Sequence, residues 1–273
     1  MTTSKICIAL VACATAGFAA ADTPDPVIAA ARKAASAFTD SLPRYVVKRA
    51  TKRYQTGAAS SLDSRTRSKP CNLDTLRATP ELCPFDTVTA EIVTENGKET
   101  YTNLRVNGTP DANPDRSGTW SEGEFSTTLW AIFSPASAAL FTNQRAVTIM
   151  KRPAWRYDFA IDHSHSSWKL FAGTTDYAPA YGGAIWIDKE TSRVLRIEMA
   201  ARELPASFPL KMVESAIEYN FVNIGDAKFL LPAHSEALYC ERAGTACSKN
   251  VTDFQNYKRY TADATITFEE TPK

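Results

Sequence analysis

The stretch Ala184-Ile185-Trp186-Ile187-Asp188-Lys189-Glu190-Thr191-Ser192-Arg193-Val194-Leu195-Arg196-Ile197-Glu198 reads as two extended segments joined by a short polar turn. Leu195, Ile197 and Met199 alternate with Val194, Arg196 and Glu198, and Asp188-Lys189-Glu190-Thr191 supplies the turn. Period-two alternation marks strands that bury one face and wet the other. The same rhythm extends outward in both directions. Trp155, Tyr157, Phe159 and Ile161 alternate with Arg156, Asp158, Ala160 and Asp162. Val88, Ala90 and Ile92 alternate with Thr87, Thr89 and Glu91, and Asn96-Gly97 is a hairpin turn before a return strand from Thr100 to Val106, because both turn residues tolerate positive φ. Val213, Ile217, Tyr219 and Phe221 share a face, and Tyr260, Ala262, Ala264, Ile266 and Phe268 form a further alternating run. Short polar joints such as Asn223-Ile224-Gly225-Asp226, with no parallel crossover pattern, indicate a meander: one large antiparallel sheet with an apolar face.

Such a face needs a cover, and few segments can supply it. Asp25-Pro26 starts a helix, with an acidic N-cap followed by proline at the first helical position. Val27, Ala31, Ala34, Phe38 and Leu42 then recur at helical spacing, and Pro43 ends it. Ser121 and Glu124 form a capping-box pattern ahead of Phe125, Leu129, Trp130, Ile132 and Phe133. Ser134-Pro135 then restarts a second short helix through Phe141. Tyr45 to about Tyr54 reads as a long strand carrying the basic run Lys48-Arg49 and Lys52-Arg53. That run reads as a solvated outer face, or as a contact for anionic headgroups or an acidic partner.

The N-terminus is an export signal: Lys5, an apolar stretch from Ile6 to Ala12, then small residues up to an A-x-A site at Ala19 and Ala21. Residues 1–21 are therefore a signal peptide and 22–273 a single domain, periplasmic or secreted. Leu10-Val11-Ala12-Cys13 also fits a lipoprotein cleavage site, which would leave the protein lipid-anchored at Cys13. Loss of Lys5 with the leader leaves charge in balance, 30 acidic residues against 31 basic in the full chain. That balance argues against nucleic-acid binding and against a polybasic membrane-surface protein. Of the 6 cysteines, Cys71, Cys83, Cys240 and Cys247 follow the leader. An even number in an oxidising compartment reads as two disulfides. The local pairings Cys71–Cys83 and Cys240–Cys247 are favoured because each brackets a turn-rich segment, the first inside a Ser/Thr/Gly/Pro/Arg-rich loop over residues 56–84.

Catalytic chemistry finds little support. No G-x-S-x-G elbow, phosphate-cradling glycine loop or C-x-x-C pair is present. Of 3 histidines, His163 and His165 could share a strand face and grip a metal with His234. The competing reading is a polar hairpin tip, Asp162-His163-Ser164-His165-Ser166-Ser167. No catalytic residue, metal or cofactor is assigned, and the protein is read as a non-enzyme.

The order of elements (an N-terminal helix, a long antiparallel meander and a helical plug) resembles the lipoprotein-carrier superfamily, which includes LolA, LolB, the mycobacterial lipid carriers and the amino-terminal domain of RseB. The 184–198 hairpin, where an aromatic and an Asp precede a Thr turn, and Phe229-Leu230-Leu231-Pro232 carry the resemblance. It implies an α+β fold: a large curved antiparallel β-sheet, a half-barrel, with helices covering the concave face. It further implies a lipid, an acyl chain or a lipidated ligand bound in that face. The lining would be Phe125, Leu129, Trp130 and Phe133 on the lid and Trp155, Tyr157, Phe159 and Trp186 on the sheet, unless all eight are plain core. The 56–84 loop and the disulfides depart from the carrier pattern and point away from a dedicated lipoprotein carrier. The alternative is a protein-interaction or envelope-stress sensor module with a lipoprotein or envelope protein as partner.

Overall fold

The computed structural model describes residues 25–41, 44–56, 82–95, 98–116 and 118–260. The signal segment with Cys13, most of the 56–84 loop with Cys71, the Asn96-Gly97 turn and the run after Tyr260 lie outside these residues.

Helix α1 (Pro26–Ser41) leads into β1 (Tyr45–Thr56), β2 (Leu82–Glu95), β3 (Lys98–Val106) and the short β4 (Thr109–Pro110). Helix α2 (Thr127–Phe133) and a 3-10 turn at Pro135–Ser137 separate these from β5 (Leu140–Ile149) and β6 (Arg152–Ile161). A small hairpin, β7 (Leu170–Ala172) and β8 (Thr175–Tyr177), precedes β9 (Ala180–Asp188), β10 (Val194–Arg202), β11 (Leu210–Ile224), β12 (Ala227–Glu241) and β13 (Cys247–Arg259). Among the described residues, eleven strands form one sheet in the order β4-β3-β2-β1-β13-β12-β11-β10-β9-β6-β5. Its pairings are antiparallel, and the last described strand returns to pair with the first. The expected antiparallel sheet with helices on one face is what forms. The sheet is neither closed nor strongly curled, a flatter build than the half-barrel.

The two faces separate as the alternation requires. Tyr157, Ile185, Ile197 and Ile217 sit directly across from one another on β6, β9, β10 and β11. All are buried on the covered face, each stabilising the fold by about 2 kcal/mol relative to exposure. α1 packs Ile28, Ala31 and Phe38, and α2 packs Leu129, Ile132 and Phe133, into the same core. Asp25 caps α1: its Oδ1 accepts from the backbone N–H of Val27 at 2.8 Å, while Oδ2 accepts from the Tyr157 hydroxyl at 2.8 Å, pinning the helix start to the sheet. The open face carries ion pairs instead. Arg156 meets Asp158 at 2.6 Å, and Arg196 meets Glu198 at 2.8 Å and also pairs with Glu218.

The 184–198 hairpin is locked at its turn. Asp188, 1% exposed, accepts Arg152 Nε at 2.6 Å and Nη2 at 3.1 Å, together with the backbone N–H and hydroxyl of Thr191, both at 2.8 Å. Burial works against the charge, but these donors hold the carboxyl below its usual range.

Several expectations are corrected. Ser121 does not cap a helix; α2 begins only at Thr127, and Glu124 turns to the core. Leu140 and Phe141 begin β5 rather than ending a helix, since Ala138 takes a left-handed conformation that stops the 3-10 turn. The basic run is split by the strand's own alternation. Lys48 and Lys52 point out, while Arg49 and Arg53 are 1% exposed on the covered face. Arg53 pairs with Asp86 and donates to the Pro114 carbonyl at 2.7 Å. Arg49 pairs with Glu124 at 3.3 Å. Paired burial of this kind avoids the several kcal/mol cost of a lone buried guanidinium.

Candidate ligand pocket

The segment from Trp120 into α2 and the stretch 167–171 lie over the covered face of β10, β11 and β12. Between them is a cavity of about 390 Å³. Its apolar walls are Ala131, Leu170, Tyr181, Met199, Val213 and Ile217; Glu124, Thr128 and Ser215 add polar groups, and Trp120 and Trp168 also border it. α2 has only 7 residues, about 10 Å of helix, so it covers part of the apolar face. The gap beyond its N-terminal end is the cavity. A larger depression of about 830 Å³ lies on the open face, lined by Arg156, Asp158, Arg196, Glu198, Glu236 and Lys249 among others. Those side chains already pair with one another, so it reads as a charged trough rather than a ligand site. The smaller, apolar-walled cavity is the better candidate.

The roof is fixed by hydroxyls from the sheet. Tyr219 donates to the Glu124 carbonyl at 3.0 Å and Tyr181 to the Ala131 carbonyl at 3.1 Å. Burial pushes the Tyr181 hydroxyl up to about 12 and those of Tyr219 and Tyr239 higher still, so all three stay neutral. Behind the roof lies a buried polar cluster. Arg49 Nη2 donates to the Ser121 carbonyl at 2.6 Å, and its guanidinium lies 4.1 Å from the Trp120 ring centroid. Glu124 Oε1 takes Arg49, Ser121 Oγ and Ser235 Oγ, each at 3.3 Å. Among the described residues, Glu124 Oε2 has no hydrogen-bond partner. Nearby, Glu99 accepts from the Tyr101 hydroxyl at 3.1 Å. Burial, reinforced by the Glu124 charge, raises Glu99 to about 7.

None of the eight residues singled out in the sequence lines the cavity. Phe125, Leu129, Phe133, Tyr157 and Phe159 are buried in the core, with Phe133 stacked on Phe141 and Phe125 edge-on to Phe254. Trp130 is 60% exposed. Trp155 is half-buried with the Lys189 ammonium 3.8 Å from its ring centroid, and Trp186 lies on the open face beside Arg156 and Arg196. Met199, Val213 and Ile217 belong to strand runs visible in the sequence. Which positions face a gap in the helical cover depends on where α2 begins, and the capping-box pattern misplaced that point.

His163 to His165 forms a 3-10 turn. His163 Nδ1 lies 2.5 Å from the Ala178 carbonyl with its ring stacked on Tyr177, and His165 contacts Ser164. His234 sits apart, on Asp253 at 2.8 Å. Among the described residues, no three His, Cys, Asp or Glu side chains are grouped to hold a metal. Cys240 and Cys247 are bonded across the β12–β13 pair.

No family model matches the sequence, and no curated protein matches it. Among solved structures, a DUF1329 family protein from Desulfovibrio piger aligns over 89% of this chain and 95% of its own, at 8% identity and a TM-score of 0.38. A LolA superfamily protein from Nitrosomonas europaea aligns over 86% of this chain and 92% of its own, at 10% identity and a TM-score of 0.28. Both are matches along nearly the whole chain at low identity. At these scores they carry no inference about ligand or mechanism.

Proposed function

We propose that the chain is a non-enzymatic binding or carrier protein of the bacterial envelope, which holds an acyl chain or other hydrophobic small molecule in the cavity beside α2. The observation that carries this reading is the cavity itself: about 390 Å³, within the usual range for small-molecule sites, roughly 300–1,000 Å³. It is apolar-walled and roofed by backbone that two buried tyrosines hold in place. The proposed lining is Leu170, Tyr181, Met199, Val213 and Ile217. Phe125, Leu129, Phe133, Tyr157 and Phe159 then form the packed wall behind it, with Trp130, Trp155 and Trp186 outside. The signal-like N-terminus and the Cys240–Cys247 bond support a periplasmic or secreted setting, or an anchored one at Cys13.

A second reading, an interaction or envelope-stress sensor module, draws on β5. Among the described residues this strand pairs only with β6, at the sheet edge, and leaves Leu140 64% exposed, a place where a partner strand could add. The two readings part in a titration of the purified protein with the apolar fluorophore phenylnaphthylamine. The carrier reading expects saturable one-site binding that quenches tryptophan emission, since Trp120 and Trp168 border the cavity. Absence of saturable binding would overturn it in favour of the interaction module.

A further inference from the structure

Resting on the cavity reading above, we infer that the ligand carries a hydrogen-bond-donating cationic head, a primary ammonium, seated against Glu124. Glu124 lines the cavity, yet its side chain is only 5% exposed. Its two oxygens are treated unequally. Three donors crowd Oε1, namely Arg49 Nη2, Ser121 Oγ and Ser235 Oγ, each at the long distance of 3.3 Å. Oε2 receives none from the described residues. A buried carboxylate oxygen without a donor is costly and rare, so a donor arriving with the ligand relieves a deficit already built into the wall.

Charge selects the kind of donor. Glu122 and Glu124 border the cavity from the roof, against one cation among the described lining residues, Lys169; Glu214 points to the open face. Arg49 offsets Glu124 from behind but is not part of the lining. Its guanidinium lies against the rings of Trp120 and Tyr101, 4.1 and 5.8 Å from their centroids, and its Nε and Nη1 have no hydrogen-bond partner among the described residues. The lining is therefore acidic at its polar end and apolar along Leu170, Met199, Val213 and Ile217. That pattern fits an amphiphile with an ammonium head and opposes a fatty-acid carboxylate. An ammonium offers three donors, enough to reach Oε2 and keep others for the rim.

Calorimetric titration with dodecylamine, dodecanol and dodecanoic acid, below their micelle concentrations, tests this with the chain held constant and only the head varied. The expected order is amine, then alcohol, then acid, with the amine about tenfold or more tighter than the acid, as a charge-assisted hydrogen bond to a buried carboxylate implies. Glu124→Gln should cut amine affinity about tenfold while leaving the alcohol within about twofold. If that variant fails to fold, the order on the native protein still decides. Equal binding of all three, or tightest binding of the acid, overturns the ammonium head and leaves the apolar pocket standing. Binding of none overturns the pocket together with the head.

Discussion

Asp188→Ala tests whether the β9–β10 turn is an electrostatic lock. The carboxylate is fully buried and accepts four hydrogen bonds, two from Arg152 and two from Thr191. Removing it strips the turn of its organiser and leaves Arg152 with Glu190 at 2.9 Å, a largely exposed partner, and the Phe221 ring, 4.9 Å from its guanidinium. Breaking a buried pair by deleting one partner costs about 3–5 kcal/mol. Arg152 is 31% exposed, so water recovers part of this and about 2–4 kcal/mol is expected. For a domain of this size that lowers the melting temperature by roughly 5–12 °C, measurable by circular dichroism. The folded carboxyl titrates below its unfolded value. Its contribution is therefore full above pH 3.8, the ordinary value for the group, and is lost as pH falls through the lower folded value. The gap between wild type and variant should close in acid. A variant within about 0.5 kcal/mol of wild type at pH 7 would refute the lock.

Two further outcomes follow from the pocket. Glu99, raised to about 7 by burial and the Glu124 charge, holds in the folded state a proton that the unfolded chain has released, so stability should fall as pH rises from 4.5 to about 7. Glu99→Gln should flatten that slope, worth about 1–2 kcal/mol after allowance for partial exposure; urea midpoints across the window check it. Ser215 borders the cavity from β11, and Ser215→Phe should fill it, weakening phenylnaphthylamine binding about tenfold or more while changing stability by roughly 1–3 kcal/mol. Unchanged binding would place the fluorophore elsewhere.

The antiparallel sheet was legible because its central strands alternate cleanly. Tyr157, Ile185, Ile197 and Ile217 each sit in such a run and end in one row of the core. β13 was not legible because its covered-face positions include Asn250 and Thr252, which lie opposite Arg53 and Thr51 of β1 rather than apolar residues. A strand that packs a buried polar cluster loses the hydrophobic rhythm by which strands are recognised. The same cluster explains the misreading of Arg49 and Arg53, since a guanidinium in sequence gives no sign of its distant carboxylates, Glu124 and Asp86. β5 was missed because it is an edge strand whose exposed residues carry almost no pattern. The pocket was only partly legible. Its walls belong to recognisable strands, but its existence depends on α2 being short and starting late at Thr127, a tertiary outcome of Glu124 pairing with Arg49 instead of capping the helix.

Native mass spectrometry of the protein, purified gently from a bacterial periplasm without detergent, tests the central proposal most directly. Binding in the cavity predicts a co-purified mass in the range of a lipid or fatty amine on the wild-type protein, absent from Ser215→Phe. A clean ligand-free mass for the wild type, or the same bound mass on both proteins, would contradict a ligand held in this cavity.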